Sequence, residues 1–99
     1  MAFDDRRQFP RFPVRFVAWV DGPRGPMRGT CTDLSLGGLF VEGVLGTQDA
    51  VTTVKVDFPH GAMSFSAQVR RVSTAPKGTG LQFMRLEPQQ LAALQRYTR

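Results

Sequence analysis

The sequence predicts a small, all-β fold: a six-stranded antiparallel β-barrel with a short C-terminal α-helix and a flexible N-terminal leader. Three observations lead there. Apolar and polar residues alternate in several short runs, the period of half-buried strands. With 10 Gly and 7 Pro in 99 residues, turns are frequent, which favours short strands over long helices. After Glu87-Pro88 the period changes from two to that of a helix.

Residues 1–11 are polar and basic and include Phe9-Pro10; proline there disfavours helix and lacks a strand donor, so a mobile leader is expected. The barrel is expected over 12–86. In the first strand Phe12, Val14, Phe16, Ala18 and Val20 fall on one side. Asp21-Gly22-Pro23-Arg24-Gly25-Pro26 is turn chemistry. A second strand should run from Met27 to about Ser35 and a third from Leu39 to Glu42. Between them Gly37-Gly38 marks a kink or bulge, because glycine accepts backbone angles that other residues avoid. A loop over 43–49 leads to Val51–Phe58, a β-branched strand with Val54, Val56 and Phe58 inward. Pro59-His60-Gly61-Ala62 is a hairpin turn, and Met63, Phe65, Ala67 and Val69 face inward on the fifth strand. Strict alternation would then bury Arg71 and expose Val72, so a bulge is expected near Arg70-Arg71. A turn at Ala75–Gly78 and a last strand over Gly80–Leu86 complete the barrel. Pro88 suits the first position of a helix. Leu91, Leu94 and Tyr97 form an apolar stripe on that helix, expected over 88–98.

The length corresponds to one domain, 1–99, with neither an internal repeat nor a second unit. A hydrophobic fraction of 41%, eight Phe and 21% charged residues suit one compact core and argue against disorder. The single cysteine, Cys31, leaves no internal disulfide and fits a reducing compartment. The opening MAFDDRRQF has no apolar segment, and no run approaches the roughly 18 apolar residues of a membrane span. A soluble, cytoplasmic protein without membrane insertion is therefore expected. The net charge of +5 favours anionic partners, although a basic surface kept for solubility reads the same way. The basic residues are scattered rather than gathered in a track, which counts against a nucleic-acid backbone as ligand.

Two motifs carry the chemistry. Arg7 and Arg11 are spaced R-x-x-x-R and preceded by Arg6; Asp33-Leu34-Ser35-Leu36-Gly37-Gly38 reads D-x-S-x-x-G. Arginine forks onto phosphate and onto the O6/N7 edge of guanine. Aspartate accepts from the N1 and N2 donors of guanine, a match adenine cannot make. With Leu34 and Leu36 inward, Asp33 and Ser35 are expected to point out of the barrel at one patch, with Gly37-Gly38 allowing close approach. The competing reading is a turn in which Asp and Ser bond to local amides. Catalysis is not expected. No base activates Ser35, Cys31 has no histidine near it in sequence, and His60 lacks partners for a metal site. Trp19 is expected outside the barrel under the C-terminal helix rather than stacked on a base.

The two motifs, in this order at hairpin separation and at the start of a six-strand pattern, resemble the PilZ domain family, bacterial receptors for cyclic di-GMP (cyclic diguanylate). Arg6-Arg7-Gln8-Phe9-Pro10-Arg11 is similar to the family's basic N-terminal switch, Asp33–Phe40 to its second motif, and Gly78–Phe83 to its closing strand. The resemblance implies that Arg7 and Arg11 clamp guanine and phosphate. It implies that Asp33 and Ser35 read the other guanine edge, with Gly38 leaving room. Arg71, or equally Arg70, would lie near the ligand, and Arg6 would accompany a second, stacked ligand molecule. It further implies a receptor with no cofactor that couples cyclic di-GMP to a downstream protein partner. An adaptor of the same fold with weak or no nucleotide binding is the alternative. A basic barrel for RNA or single-stranded DNA would need exposed aromatics among the basic residues, and most Phe fall on inward positions.

Overall fold

The computed structural model describes residues 9–99. Six strands, β1 (Phe12–Gly22), β2 (Gly25–Leu34), β3 (Gly38–Glu42), β4 (Val51–Phe58), β5 (Gly61–Thr74) and β6 (Lys77–Phe83), are followed by one helix, α1 (Pro88–Gln95). The strands close into a barrel in the order β1-β2-β3-β6-β5-β4, with every neighbouring pair antiparallel. Closure leaves no sheet edge to pair with another chain. The expected barrel and terminal helix are thus the observed fold.

Inward residues of all six strands form the core, among them Val20, Leu34, Val41, Val54, Phe65 and Leu81. The hairpin turns are tighter than expected. Gly22 pairs with Gly25 across Pro23-Arg24, where Gly25 takes φ +119°, a left-handed angle that favours glycine. Thr74 pairs with Lys77, so β6 starts three residues before the expected Gly80 and ends at Phe83 instead of Leu86. Leu86 still packs against the core from the following segment. The loop after β3 is pinned from inside: the buried Thr79 hydroxyl donates to the Val44 carbonyl at 2.6 Å and accepts from the Gly46 amide at 2.9 Å.

The helix is shorter than the expected 88–98. Gln90 Oε1 accepts from the Glu87 amide at 2.7 Å at its start. At its end the Arg96 and Tyr97 amides bond three residues back, to Ala93 and Leu94, the tighter turn with which helices often finish. That turn carries Tyr97 into an aromatic group, 5.0 Å from the Phe58 ring and 5.3 Å from Phe16, with its hydroxyl 2.7 Å from His60 Nδ1. Leu94 is fully buried in the core, and Gln90 Nε2 donates to the Ser64 carbonyl of β5. α1 therefore packs where β1, β4 and β5 meet. No helix among the described residues is long and apolar enough to cross a membrane.

Candidate functional site

Three strands change register beside a single row of residues. β1 carries an extra residue between Pro13 and Phe16, β2 between Cys31 and Asp33, and β5 between Val69 and Arg71. The last is the bulge that the broken alternation at Arg70-Arg71 predicts. Between these shifts the pairing runs across four strand boundaries: Pro13 with Asp33, Asp33 with Phe40, Phe40 with Gly80, and Gly80 with Arg71. A bulge bends its strand and re-aims a side chain. Here the bulges leave Cys31, Leu34 and Val69 in the core while Asp33 and Arg71 stay outside it.

The first and second motifs meet at this row. Arg11 Nη1 lies 3.3 Å from Asp33 Oδ2, with the side chains 59% and 31% exposed. Just before it, Phe9 lies over the 35–38 turn, so close that a Cβ at Gly37 would come within 2.9 Å of its ring. The chain entering β1 therefore crosses the D-x-S-x-x-G turn. Arg6 and Arg7 lie outside the described residues. Arg71 has its guanidinium carbon 5.4 Å from the centroid of Phe40. Arg70 has different partners: its guanidinium reaches Gln68 Oε1 at 3.5 Å and its carbonyl accepts from Gln48 Nε2.

Ser35 does not sit as expected, whereas Gly38 is closely approached by the chain, as expected. Ser35 is 9% exposed rather than pointing outward. Its hydroxyl accepts from the Gly37 and Gly38 amides at 3.0 and 3.1 Å and donates to the Gly38 carbonyl at 3.3 Å. One donor and two lone pairs are a hydroxyl's full complement, so Ser35 closes the turn, as the competing reading of the motif has it. Gly38 is glycine for closeness to β6: a Cβ there would overlap the Leu81 carbonyl oxygen. Neither Gly37 nor Gly38 has a positive φ, so space, not backbone angle, explains the pair.

Phe40 is the residue sequence reasoning missed. It is 8% exposed, yet it stands apart from the core that contains its neighbours Leu39 and Val41. Its ring lies over β6, where a Cβ at Gly78 would overlap it and one at Gly80 would sit 3.9 Å away. Glycines two apart on one strand face were the available signal.

Other candidates are structural. Burial pushes the Cys31 thiol up to about 12, which leaves no thiolate at neutral pH. His60 stacks on Phe58 and Tyr97, and among the described residues no group of three His, Cys, Asp or Glu could hold a metal. Trp19 is outside the barrel, but it is flanked by Arg28 of β2 and Lys55 of β4, with the Lys55 ammonium 4.7 Å from its ring, rather than packed under α1. Its surroundings also include Asp21, Pro26, Thr53 and Ser64, none of them from the helix.

The PilZ domain family profile matches residues 5–99. No curated protein matches the chain in sequence. Among solved structures, YcgR of Escherichia coli in complex with c-di-GMP is similar at 21% identity and a TM-score of 0.78, over 92% of this chain and 43% of that one. The Bacillus subtilis inhibitor of motility, MotI/DgrA, is similar at 20% identity and a TM-score of 0.78, over 94% and 49%. The isolated PilZ domain of E. coli YcgR with c-di-GMP is similar at 18% identity and 0.77, over 94% and 88%. At these identities the likeness is one of fold. The chain spans less than half the length of the first two proteins.

Proposed function

The chain belongs to the PilZ domain family, and on that premise we propose that it is a receptor for cyclic di-GMP that works without catalysis. The observation that carries the reading is the row from Asp33 through Phe40 to Arg71, with Arg11 bonded to its acidic end. It offers a carboxylate to guanine N1 and N2 and guanidinium groups to guanine O6/N7 and to phosphate. We assign Arg11, Asp33 and Arg71 to direct contact, and Arg6 and Arg7 to the leader's share of the clamp. Ser35 and Gly38 contribute by holding the 35–38 turn, over which the leader crosses.

Ligand contacts lock the leader, 1–11, onto the barrel, 12–86, which Phe9 and Arg11 already meet at the 35–38 turn and at Asp33. A charge-assisted clamp repays the entropy of ordering a polar segment, which gives a switch. The changed surface is then read by a downstream protein partner in the cytoplasm. YcgR is solved with c-di-GMP and MotI is described as an inhibitor of motility; we extend ligand and partner regulation, but no particular pathway, to this chain. Calorimetric titration with cyclic di-GMP, GTP and a single-stranded oligonucleotide tests the proposal. The expected result is saturable binding of cyclic di-GMP alone. Binding of none identifies an adaptor, and preference for the oligonucleotide identifies a nucleic-acid barrel.

A further inference from the structure

We infer that Phe40 is a positioning residue for ligand recognition, seating the Arg71 guanidinium at the opposite end of the row from Asp33. The inference rests on the receptor reading above and concerns how its site is held ready. An outward phenylalanine on a strand is ordinarily exposed, because alternate residues of β3 face away from the core. Phe40 is 8% exposed because the chain builds a bed for it. Gly78 and Gly80 remove two successive side chains from the outer face of β6; the ring fills the space at Gly78, where a Cβ would overlap it, and at Gly80 a Cβ would only touch it, at 3.9 Å. Arg71 covers it from the next strand, its guanidinium carbon 5.4 Å from the ring centroid. Arg71 is there only because the bulge after Val69 turns it outward.

Each of these features is a departure from regular sheet, and all of them converge on one guanidinium. A cation over an aromatic face is attracted by the ring's quadrupole. An exposed arginine loses rotamer freedom when a ligand orders it, whereas one already seated loses less, so preorganisation appears as affinity. Phe40 touches the ligand in no part of this account. It acts through Arg71.

The test is a double-mutant cycle read by calorimetry with cyclic di-GMP. Arg71→Gln should weaken binding about 10-fold or more, the loss of a charge-assisted contact. Phe40→Leu keeps an apolar residue on the glycine bed and should weaken binding about 2- to 5-fold, the scale of a cation–π contact. In the Arg71→Gln background the same Phe40→Leu change should have no effect. An equal loss in both backgrounds would show that Phe40 acts by packing alone and overturns the inference, as would wild-type affinity in Phe40→Leu. Should Phe40→Leu fail to fold, Arg71→Lys decides: it keeps the charge but not the planar group, and wild-type affinity there overturns the inference. If the wild-type protein does not bind cyclic di-GMP, the receptor reading falls as well; if it binds and the cycle is flat, only the role of Phe40 falls.

Discussion

Asp33 has two partners in prospect, the Arg11 guanidinium it now holds at 3.3 Å and the guanine it is proposed to read. The pair is exposed, and such pairs contribute about 0–1 kcal/mol to stability. Arg11→Ala should therefore leave the unfolding midpoint nearly unchanged while weakening cyclic di-GMP by about one to two decades, the scale of a charge-assisted bond. Asp33→Ala should reduce discrimination between cyclic di-GMP and cyclic diadenylate. Calorimetry beside thermal denaturation checks both, and unaltered selectivity in Asp33→Ala would remove it as the base reader. Cys31 gives a prediction of a different kind. Its thiol, ordinarily near 9.0, is pushed to about 12 by burial. The folded state thus keeps its proton where the unfolded state loses it, so stability is fully present below pH 9 and is lost as pH rises toward 12. A Cys31→Ala variant, less stable at neutral pH for the cavity it opens, should show a smaller fall in melting temperature between pH 8 and pH 10.5 than wild type. Asp33 and Arg11 were each legible as candidates because their chemistry is visible in the residue types, but their contact with one another was not. The burial of Ser35 was not, because an outward strand residue and a turn-closing hydroxyl leave the same letters. Phe40, between Leu39 and Val41, reads as one more core residue until the glycines opposite it are known.

Period two marked β1, β4 and β5, which have one face in the core and one in water; where the alternation failed, at Arg70-Arg71, the failure itself announced the bulge. The bulges of β1 and β2 were not legible. A bulge is a mismatch in residue count between two strands, and one strand records it only where its own apolar alternation is visibly broken, as in β5. The helix was legible in its start, through Pro88, but not in its end, since the apolar stripe continues to Tyr97 while the backbone tightens at Arg96. The structure sharpens which part of that stripe matters. Leu94 is fully buried in the core, whereas Leu91 on the same stripe is 37% exposed. Leu94→Ala should cost about 2–5 kcal/mol, as large-to-small core changes do. In a domain of this size each kcal/mol moves the melting temperature by about 4–8 °C, so calorimetry should show a drop of about 8 °C or more. Leu91→Ala should move it little. Equal effects at the two positions would mean that α1 is not anchored through Leu94.

At the scale of the molecule, charge decides how many ligands one chain can hold. The net charge is +5, and Arg6, Arg7 and Arg11 crowd three guanidinium groups into six residues of the chain that enters β1. Arg6 and Arg7 lie outside the described residues, but the chain they lead into crosses the 35–38 turn at Phe9 and reaches Asp33 at Arg11. In sequence, Arg7 and Arg6 precede Phe9 by two and three residues. One cyclic dinucleotide is a dianion, and two stacked molecules concentrate twice that charge in a small volume. Their repulsion is strong wherever water is excluded and falls with distance and screening. Arginine offsets it twice over, as a permanent cation and as a planar group able to stack on a guanine left exposed at the end of the pair. We therefore predict two cyclic di-GMP molecules per chain, the second held mainly through Arg6. The second molecule should be the more salt-sensitive, since more of its binding is electrostatic. Raising salt from about 0.05 to 0.5 M, which shortens the screening length severalfold, should reduce the calorimetric ratio from two toward one. Arg6→Leu should do the same at low salt while leaving the first site at wild-type affinity. A ratio of one for the wild-type protein at saturating ligand and low salt would sink the two-ligand prediction and leave the receptor reading intact.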